Sequence, residues 1–129
     1  MGKKATTVKK ISSAELLVEN IVNGMQEVKA REIAILDMRD IKSAVTDYYI
    51  ICHGTSNTHV EAISRSVEKE TREKLGEKPA HIEGVSNAQW ILMDYFSAVV
   101  HIFDETTRGY YRLEDLWADA NVRMVKESA

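Results

Sequence analysis

Between Ser12 and Val28, apolar residues recur every three or four positions, which predicts an amphipathic helix. Glu15 lies three residues after Ser12, and this pair fits a capping box, so the helix is expected to begin there. Its apolar face is expected to pack on a sheet. The residues of that face are Leu17, Ile21, Met25 and Val28.

Two apolar runs after this helix have the composition of strands. The run from Glu32 to Met38 is rich in residues that favour strands and ends at the polar pair Arg39-Asp40. The run from Tyr48 to Cys52 is continuously apolar, so we expect a central strand that is covered on both faces. Cys52 is then interpreted as a small buried hydrophobic residue.

A second helix is predicted from about Thr58 to Leu75, because the polar segment from Gly54 to Asn57 breaks the strand and supplies capping residues. Gly76 predicts a left-handed C-cap, and Pro79 prevents the helix from resuming. Within the helix, acidic residues precede basic residues by four positions, an order that stabilises helices. The predicted ion pairs are Glu61–Arg65, Glu68–Arg72 and Glu70–Lys74.

The third group of strands includes a predicted hairpin. A short strand near Ala80 to Glu83 precedes two apolar runs, Trp90 to Tyr95 and Ala98 to Phe103. Only Phe96-Ser97 separates these runs, so we predict that they pair antiparallel. A two-residue turn favours positive φ, which costs more for Phe96 than for glycine, so the sequence leaves the type of this turn open.

The last helix is predicted from Tyr110 to Ala120. The resulting element order, α-β-β-α-β-β-β-α, predicts an α/β (α+β) fold with a mixed five-stranded sheet and helices packed on it. The residues that this helix is expected to turn toward the core are Leu113, Leu116 and Trp117.

The composition is that of a globular protein with one domain. The 129 residues are 44% hydrophobic and 29% charged, which suits a folded core without disulfides or metals. We expect residues 1–12 to form a basic flexible tail, residues 13–120 a single domain and residues 121–129 a C-terminal tail. The formal net charge of −3 gives no global basic field of the kind that nucleic-acid-binding domains carry.

Several features predict a cytoplasmic protein. The single cysteine, Cys52, excludes an internal disulfide framework and suits a reducing compartment. No apolar run approaches the roughly 18 residues of a membrane span, so no membrane partner is expected. The lysines near the N terminus lead into no apolar segment of the kind that a secretory signal has.

The enzyme class that fits this layout best is the metal-dependent nucleotidyltransferases, since Gly54-Thr55-Ser56 follows a strand and precedes a helix. Such enzymes need carboxylates that converge on metal ions, and a strand with Asp-x-Asp would supply them. No Asp-x-Asp follows this turn, the histidines show no HExxH spacing, and no phosphate-binding glycine motif is present. We therefore predict no catalytic residue, metal or cofactor, and keep the nucleotidyltransferase as an alternative.

A series of short motifs lies in order along the chain. They are Thr46-Asp47-Tyr48, Ile50-Ile51-Cys52, Gly54-Thr55-Ser56 with His59-Val60, Glu83-Gly84, WILMDY at 90–95, VVHIF at 99–103 and YYRLEDLW at 110–117. In this order and spacing they resemble the ribosomal silencing factor (Iojap, RsfS) family, over roughly Ser13 to Ala120. Two positions depart from the family: Phe96-Ser97 replaces its usual Gly-Asp turn, and Thr58 stands where arginine is frequent.

The resemblance implies a translational repressor without enzymatic activity. Family members bind the large ribosomal subunit through its ribosomal protein fourteen and sterically block joining of the small subunit. The family fold is similar to that of nucleotidyltransferases but lacks their catalytic carboxylates, which agrees with the missing Asp-x-Asp motif.

The hairpin supplies most of the candidate partner-binding residues. Along its first strand, Trp90 and Asp94 share one face and Ile91 and Tyr95 the other, and the alternation does not tell which face the helices cover. Asp94 on an apolar strand requires a partner or exposure, whereas Trp90 suits a core position equally well. The candidate set is Trp90, Asp94, Tyr95, His101, Tyr48 and Asp47.

Two other modes of action stay open. Basic residues near the N terminus and exposed tyrosines suit a general RNA-binding module, or contacts with adjacent ribosomal RNA. An unpaired sheet face or edge suits a homodimer of the free chain. The basic residues are Lys3, Lys4, Lys9 and Lys10.

Overall fold

A computed structural model describes residues 12–116 and 119–126, so that most of the predicted N-terminal tail lies outside it. Within these residues, the helices are α1 (Ser13–Glu27), α2 (Asn57–Leu75), α3 (Glu105–Tyr111) and α4 (Leu113–Leu116). The strands are β1 (Arg31–Asp37), β2 (Tyr48–Gly54), β3 (His81–Glu83), β4 (Trp90–Asp94), β5 (Ala98–Asp104) and β6 (Asn121–Met124).

The strands form one mixed sheet in the order β3-β4-β5-β2-β1-β6. β2 and β5 pair in parallel, and the other neighbours pair antiparallel. The predicted mixed sheet with packed helices is confirmed, but it has six strands rather than five. The additional strand, β6, pairs with β1 at the edge and lies in the segment that the sequence assigned to a C-terminal tail. Its residues are all exposed, so no run of buried apolar residues marked it in the sequence.

The two long helices have the caps that the sequence predicts. Ser12 and Glu15 form the capping box at the start of α1, each side chain accepting from the other residue's backbone N–H at 3.0 Å. Ser56 is the N-cap of α2, and Gly76 ends that helix with a left-handed φ of 67°. Two of the predicted ion pairs form on its surface, Glu61–Arg65 at 3.3 Å and Glu70–Lys74 at 3.2 Å.

α1 and α2 pack against each other and cover one face of the sheet. The core beneath them is largely aliphatic and includes Cys52, which is fully buried, as predicted. Burial raises the pKa of the Cys52 thiol to about 12, so the thiol is neutral at pH 7. Other buried residues of this core are Leu17, Ile21, Met25, Ile33, Ile50, Val60, Ile63, Val67, Ile91, Met93, Val100 and Ile102.

The opposite face of the sheet carries a smaller apolar cluster around Leu36, Ile51 and Phe103, which are fully buried. The segment between β1 and β2 packs on one part of this cluster, and the segment that follows β5 packs on another. Among residues 12–116 and 119–126, the cover of the second face is therefore partial and ends beside β4. The covering residues include Met38, Ile41, Ala44, Leu113 and Ala120.

Residues 105–116 form two short helices, so the prediction of a single helix over residues 110–120 is wrong. α3 begins earlier than predicted because Asp104, at the end of β5, caps its first turn. The helix ends at Arg112, which adopts a left-handed φ of 50° and separates α3 from α4. Leu113 packs on the second apolar cluster, as predicted. The predicted core side chains that fall outside the described part are those of Leu116 and Trp117.

Arg108 fixes α3 to the end of the sheet. Its buried guanidinium donates to the backbone carbonyl of Glu32 at 2.7 Å and to Nδ1 of His53 at 3.0 Å. Burial, and then the charge of Arg108, lower the pKa of His53, so the ring remains a neutral acceptor. This contact ties the segment after β5 to the ends of β1 and β2.

Candidate partner-binding face

The side chains of β4 alternate between the two faces of the sheet. Ile91 and Met93 are fully buried beneath the helices, whereas Trp90, Leu92 and Asp94 are half-buried on the opposite side. The helices therefore cover the Ile91 side, which the sequence left undecided. Strand pairing brings residues of β5 and β2 beside the second group. We call the resulting surface the open face, and its residues are Tyr49, Trp90, Leu92, Asp94 and His101.

Trp90 and His101 are joined by a hydrogen bond within the open face. The indole Nε1–H of Trp90 donates to Nδ1 of His101 at 3.0 Å. Burial lowers the pKa of His101 to about 4, so the ring is neutral at pH 7 and Nδ1 is free to accept. The indole N–H is thus used inside the protein, and the surface that Trp90 offers to a partner is its apolar ring.

An aromatic cluster surrounds Trp90 and extends onto α3. The ring centroid of Trp90 lies 5.0 Å from that of Phe103 and 4.7 Å from that of Tyr111. The ring centroids of Tyr111 and Tyr110 are 5.1 Å apart in an edge-to-face arrangement, and both tyrosines are exposed. Rings that pack on one another lose little further side-chain entropy on binding, which suits them as rigid anchors for a partner.

Asp94 combines a structural contact with a surface charge. One carboxylate oxygen accepts the backbone N–H of Phe96 at 2.8 Å and so closes the turn between β4 and β5. The side chain is half-buried at the end of the open face, opposite Val99 of β5 and His81 of β3. The sequence prediction that this carboxylate would be paired or exposed is confirmed, because it is paired with the backbone of the turn.

Two candidate residues, Tyr95 and Tyr48, lie in the core instead of on the open face. Tyr95 is 5% exposed, and its hydroxyl lies 2.9 Å from that of Thr71 in α2. Burial raises the pKa of Tyr95 to about 12. Tyr48 is also buried on the helix side, with the guanidinium of Arg39 5.2 Å from its ring centroid. The structure therefore does not place these two candidate residues on the open face, because the strand alternation turns both toward the helices.

Asp47 lies at the margin of the open face. Its side chain is exposed, and its backbone carbonyl accepts from the N–H of Met38 at 2.8 Å. Asp47 and Phe96 line one groove between the segment before β2 and the β4–β5 turn. Of the six candidates, the structure thus brings Trp90, His101 and Asp94 together, with Asp47 beyond the turn.

The sequence of the chain also matches known proteins. A family model described as "Ribosomal silencing factor during starvation" matches residues 10–129. The chain belongs to the ribosomal silencing factor family. The function of this family is ribosome-associated repression of translation, and its members are regulatory proteins rather than enzymes.

Individual relatives in the ribosomal silencing factor family match over most of their length. The ribosomal silencing factor RsfS of Halalkalibacterium halodurans is 39% identical over 110 residues, which cover 85% of this chain and 92% of that protein. RsfS of Bacillus subtilis is 44% identical over 92 residues, which cover 71% and 76%. A crystal structure of a Bacillus halodurans protein has a TM-score of 0.72 at 34% identity, covering 87% of this chain and 98% of that one. A Chromobacterium violaceum structure has a TM-score of 0.78 at 25% identity, covering 92% and 97%.

The glycine-containing turn that suggested a nucleotidyltransferase has a structural role in this member of the ribosomal silencing factor family. Ser56 caps α2, and Nδ1 of His59 accepts from the backbone N–H of Thr55 at 2.9 Å. Nε2 of His59 donates to the carbonyl of Val28 at 2.7 Å, which links the turn to the end of α1. The carboxylate of Asp37 forms a two-pronged pair with Arg39. In residues 12–116 and 119–126, no three His, Cys, Asp or Glu side chains are grouped so as to hold a metal ion.

Sequence reasoning missed some of the exposed aromatic residues near the open face. Tyr110 and Tyr111 stood in a motif of the ribosomal silencing factor family, but the predicted helix began at Tyr110 and gave them no contact with Trp90. Phe96 was noted only for its backbone, although its side chain is also exposed. In the described part of the chain, no helix is long and apolar enough to cross a lipid bilayer.

Proposed function

We propose that this chain represses translation in the cytoplasm by binding the large ribosomal subunit through its ribosomal protein fourteen. In this position it blocks the small subunit from joining. The observation that carries the proposal is the open face, a half-buried aromatic and acidic surface on the side of the sheet that α1 and α2 leave uncovered. Family membership supports the ribosome as the target.

The chemistry of the open face suits a protein partner. Trp90 offers an apolar ring that is held from behind by Phe103 and His101, and a buried aromatic anchor of this kind commonly dominates binding energy. Asp94 and the exposed Asp47 add negative charge at one end. A basic ribosomal protein is therefore favoured electrostatically, and charge complementarity of this kind mainly raises the association rate and fixes orientation.

Blocking by bulk requires no catalytic group. A standard protein interface buries about 800 Å² on each partner, which is within reach of a domain of this size. Once the open face is engaged, the helix layer on the other side of the sheet faces outward from the ribosomal surface. The helices would then overlap sterically with an incoming small subunit.

Co-sedimentation with purified large subunits, small subunits and assembled ribosomes tests the proposal. We expect the wild type to sediment with large subunits alone and to reduce subunit joining. The double variant Trp90→Ala/Asp94→Ala should lose about 100-fold in affinity, because it removes both an anchor and a charge. Asp94→Asn keeps the oxygen that accepts from Phe96 and should slow association chiefly at low salt.

A matched control removes one apolar and one acidic side chain from the helix side of the molecule. Leu16 and Glu73 are both exposed there, so Leu16→Ala/Glu73→Ala should bind as the wild type does. Circular dichroism establishes that each variant is folded. Equal binding by the open-face and helix-side variants would contradict the proposed site. Failure of the folded wild type to bind large subunits, with salt-sensitive binding to free RNA instead, would favour the RNA-binding alternative.

A further inference from the structure

The turn between β4 and β5 holds a bulky aromatic side chain in an unfavourable setting. Phe96 has a left-handed φ of 71°, a backbone conformation that is strained in residues other than glycine. Its side chain is 74% exposed, so burial of the ring offsets little of that strain. A glycine or asparagine would fit the same turn at lower cost, which means that folding alone does not account for the phenylalanine.

A second exposed apolar residue lines the same groove as Phe96. Val45, in the segment between β1 and β2, is 85% exposed. The hydroxyl of Thr46 donates to the carbonyl of Phe96 at 2.9 Å, and the N–H of Tyr48 donates to the carbonyl of Ser97 at 3.2 Å. These bonds hold the two loops side by side around a groove of about 500 Å³. We call Val45, Phe96 and this groove the turn patch.

The turn patch is continuous with the open face. Asp94, the last residue of β4, accepts the backbone N–H of Phe96 at 2.8 Å, so the acidic end of the open face and the turn patch share one hydrogen-bonded turn. The exposed carboxylate of Asp47 lies on the rim of the same groove, together with Lys42. A partner that covers Asp94 therefore lies next to the turn that carries Phe96.

We propose that Val45 and Phe96 form a second apolar anchor point for the protein that binds the open face. The inference rests on the proposed function and adds to it a contact that a glycine at position 96 would not provide. The occupant that fits is an apolar side chain of that protein, flanked by polar groups. The patch combines the exposed side chains of Val45 and Phe96 with a largely polar groove that carries charges of both signs, which suits a protein surface better than a nucleic-acid backbone. Burial of Phe96 on binding then supplies the stabilisation that the free turn lacks.

Affinity for purified large subunits, measured by fluorescence anisotropy of the labelled full chain, tests this contact with two substitutions at one position. Phe96→Gly removes the ring and the backbone strain, and we expect about a tenfold higher Kd with no loss of thermal stability. Phe96→Leu keeps an apolar side chain under the same strain, and we expect its Kd to stay within about threefold of the wild type. Val45→Ser should weaken binding in the same direction as Phe96→Gly.

The outcomes separate the turn patch from the open face. Wild-type affinity in both Phe96→Gly and Val45→Ser, with Trp90→Ala/Asp94→Ala still defective, would overturn the turn patch and leave the proposed function standing. A wild type that does not bind large subunits would overturn both. A self-associating wild type that becomes monomeric in Phe96→Gly while binding large subunits normally would assign the patch to a second copy of the chain, and would also overturn the inference.

Discussion

The two faces of the sheet use the same strands for different purposes. The helix side is a continuous aliphatic core, in which even the hydroxyl of Tyr95 is paired inside the protein. The opposite side of the sheet has a smaller apolar cluster. Beside it lies the open face, where Trp90 and Asp94 remain half-buried. Within the described part of the chain, the core residues of the first face are buried, whereas Trp90 on the second face stays half-buried. The proposed function assigns stability to the helix side and recognition to the open face of the same strand.

The largest expected contrast compares two neighbouring residues of β4. Met93→Ala leaves a cavity in the helix-side core and should lower the free energy of unfolding by about 3 kcal/mol, without a specific effect on binding to large subunits. Leu92→Ala, on the open face, should cost only about 1 kcal/mol because the side chain is half-buried, yet it should weaken binding. Urea denaturation and co-sedimentation measure the two effects. A similar stability cost for both variants would mean that the open face is core.

The pH dependence of stability sharpens the comparison at His101. Its pKa is about 4 in the folded protein and near 6.5 when unfolded, so folding favours the neutral ring. The stability that this difference contributes is fully present above pH 6.5 and is lost as the pH falls from 6.5 to 4, by about 3 kcal/mol in total. His101→Gln keeps an acceptor for Trp90 but does not titrate, so its unfolding free energy should fall less over that range. If the unfolding free energies of the wild type and of His101→Gln changed in parallel with pH, His101 would not be the group responsible for the loss of stability.

A single hydroxyl tests whether Tyr95 belongs to the core. Tyr95→Phe removes the hydrogen bond to Thr71 and should cost about 1 kcal/mol of stability, with binding to large subunits unchanged. Tyr110→Phe removes an exposed hydroxyl and should leave stability unchanged. Thermal denaturation of the two variants, run beside the binding assay, gives both readouts. Weakened binding in folded Tyr95→Phe would restore Tyr95 as a contact residue.

The sequence predicted those parts of the fold that have a local cause. The capping box at Ser12, the left-handed C-cap at Gly76 and the central strand that contains Cys52 each follow from residue type and spacing, and each is confirmed. The strand β6 was missed because a short, exposed edge strand is defined by its partner and not by its own pattern. The same holds for α3, whose start depends on Asp104 at the end of a strand.

The candidate site was predictable only as far as strand alternation reaches. Alternation grouped Trp90 with Asp94 and separated them from Tyr95, but it carries no information on which group the helices cover. That choice depends on how α1 and α2 cross the sheet, which is a long-range property of the fold. The Trp90–His101 bond and the contact with Tyr111 likewise join separate strands and a helix, so no local spacing indicated them.

The smallest expected effect has the opposite sign from the others. Asparagine tolerates left-handed φ better than phenylalanine, so Phe96→Asn should raise the free energy of unfolding by about 0.5 kcal/mol. Lys29 also has a positive φ, of 59°. It lies between α1 and β1, at the opposite end of β1 from the turn patch, so Lys29→Asn serves as the matched control. Both substitutions should stabilise the chain in denaturation experiments, but only Phe96→Asn should weaken binding to large subunits. A variant that gains stability while losing affinity would locate at this turn a compromise between folding and recognition, whereas a loss of stability in Phe96→Asn would mean that the exposed ring contributes to the fold itself.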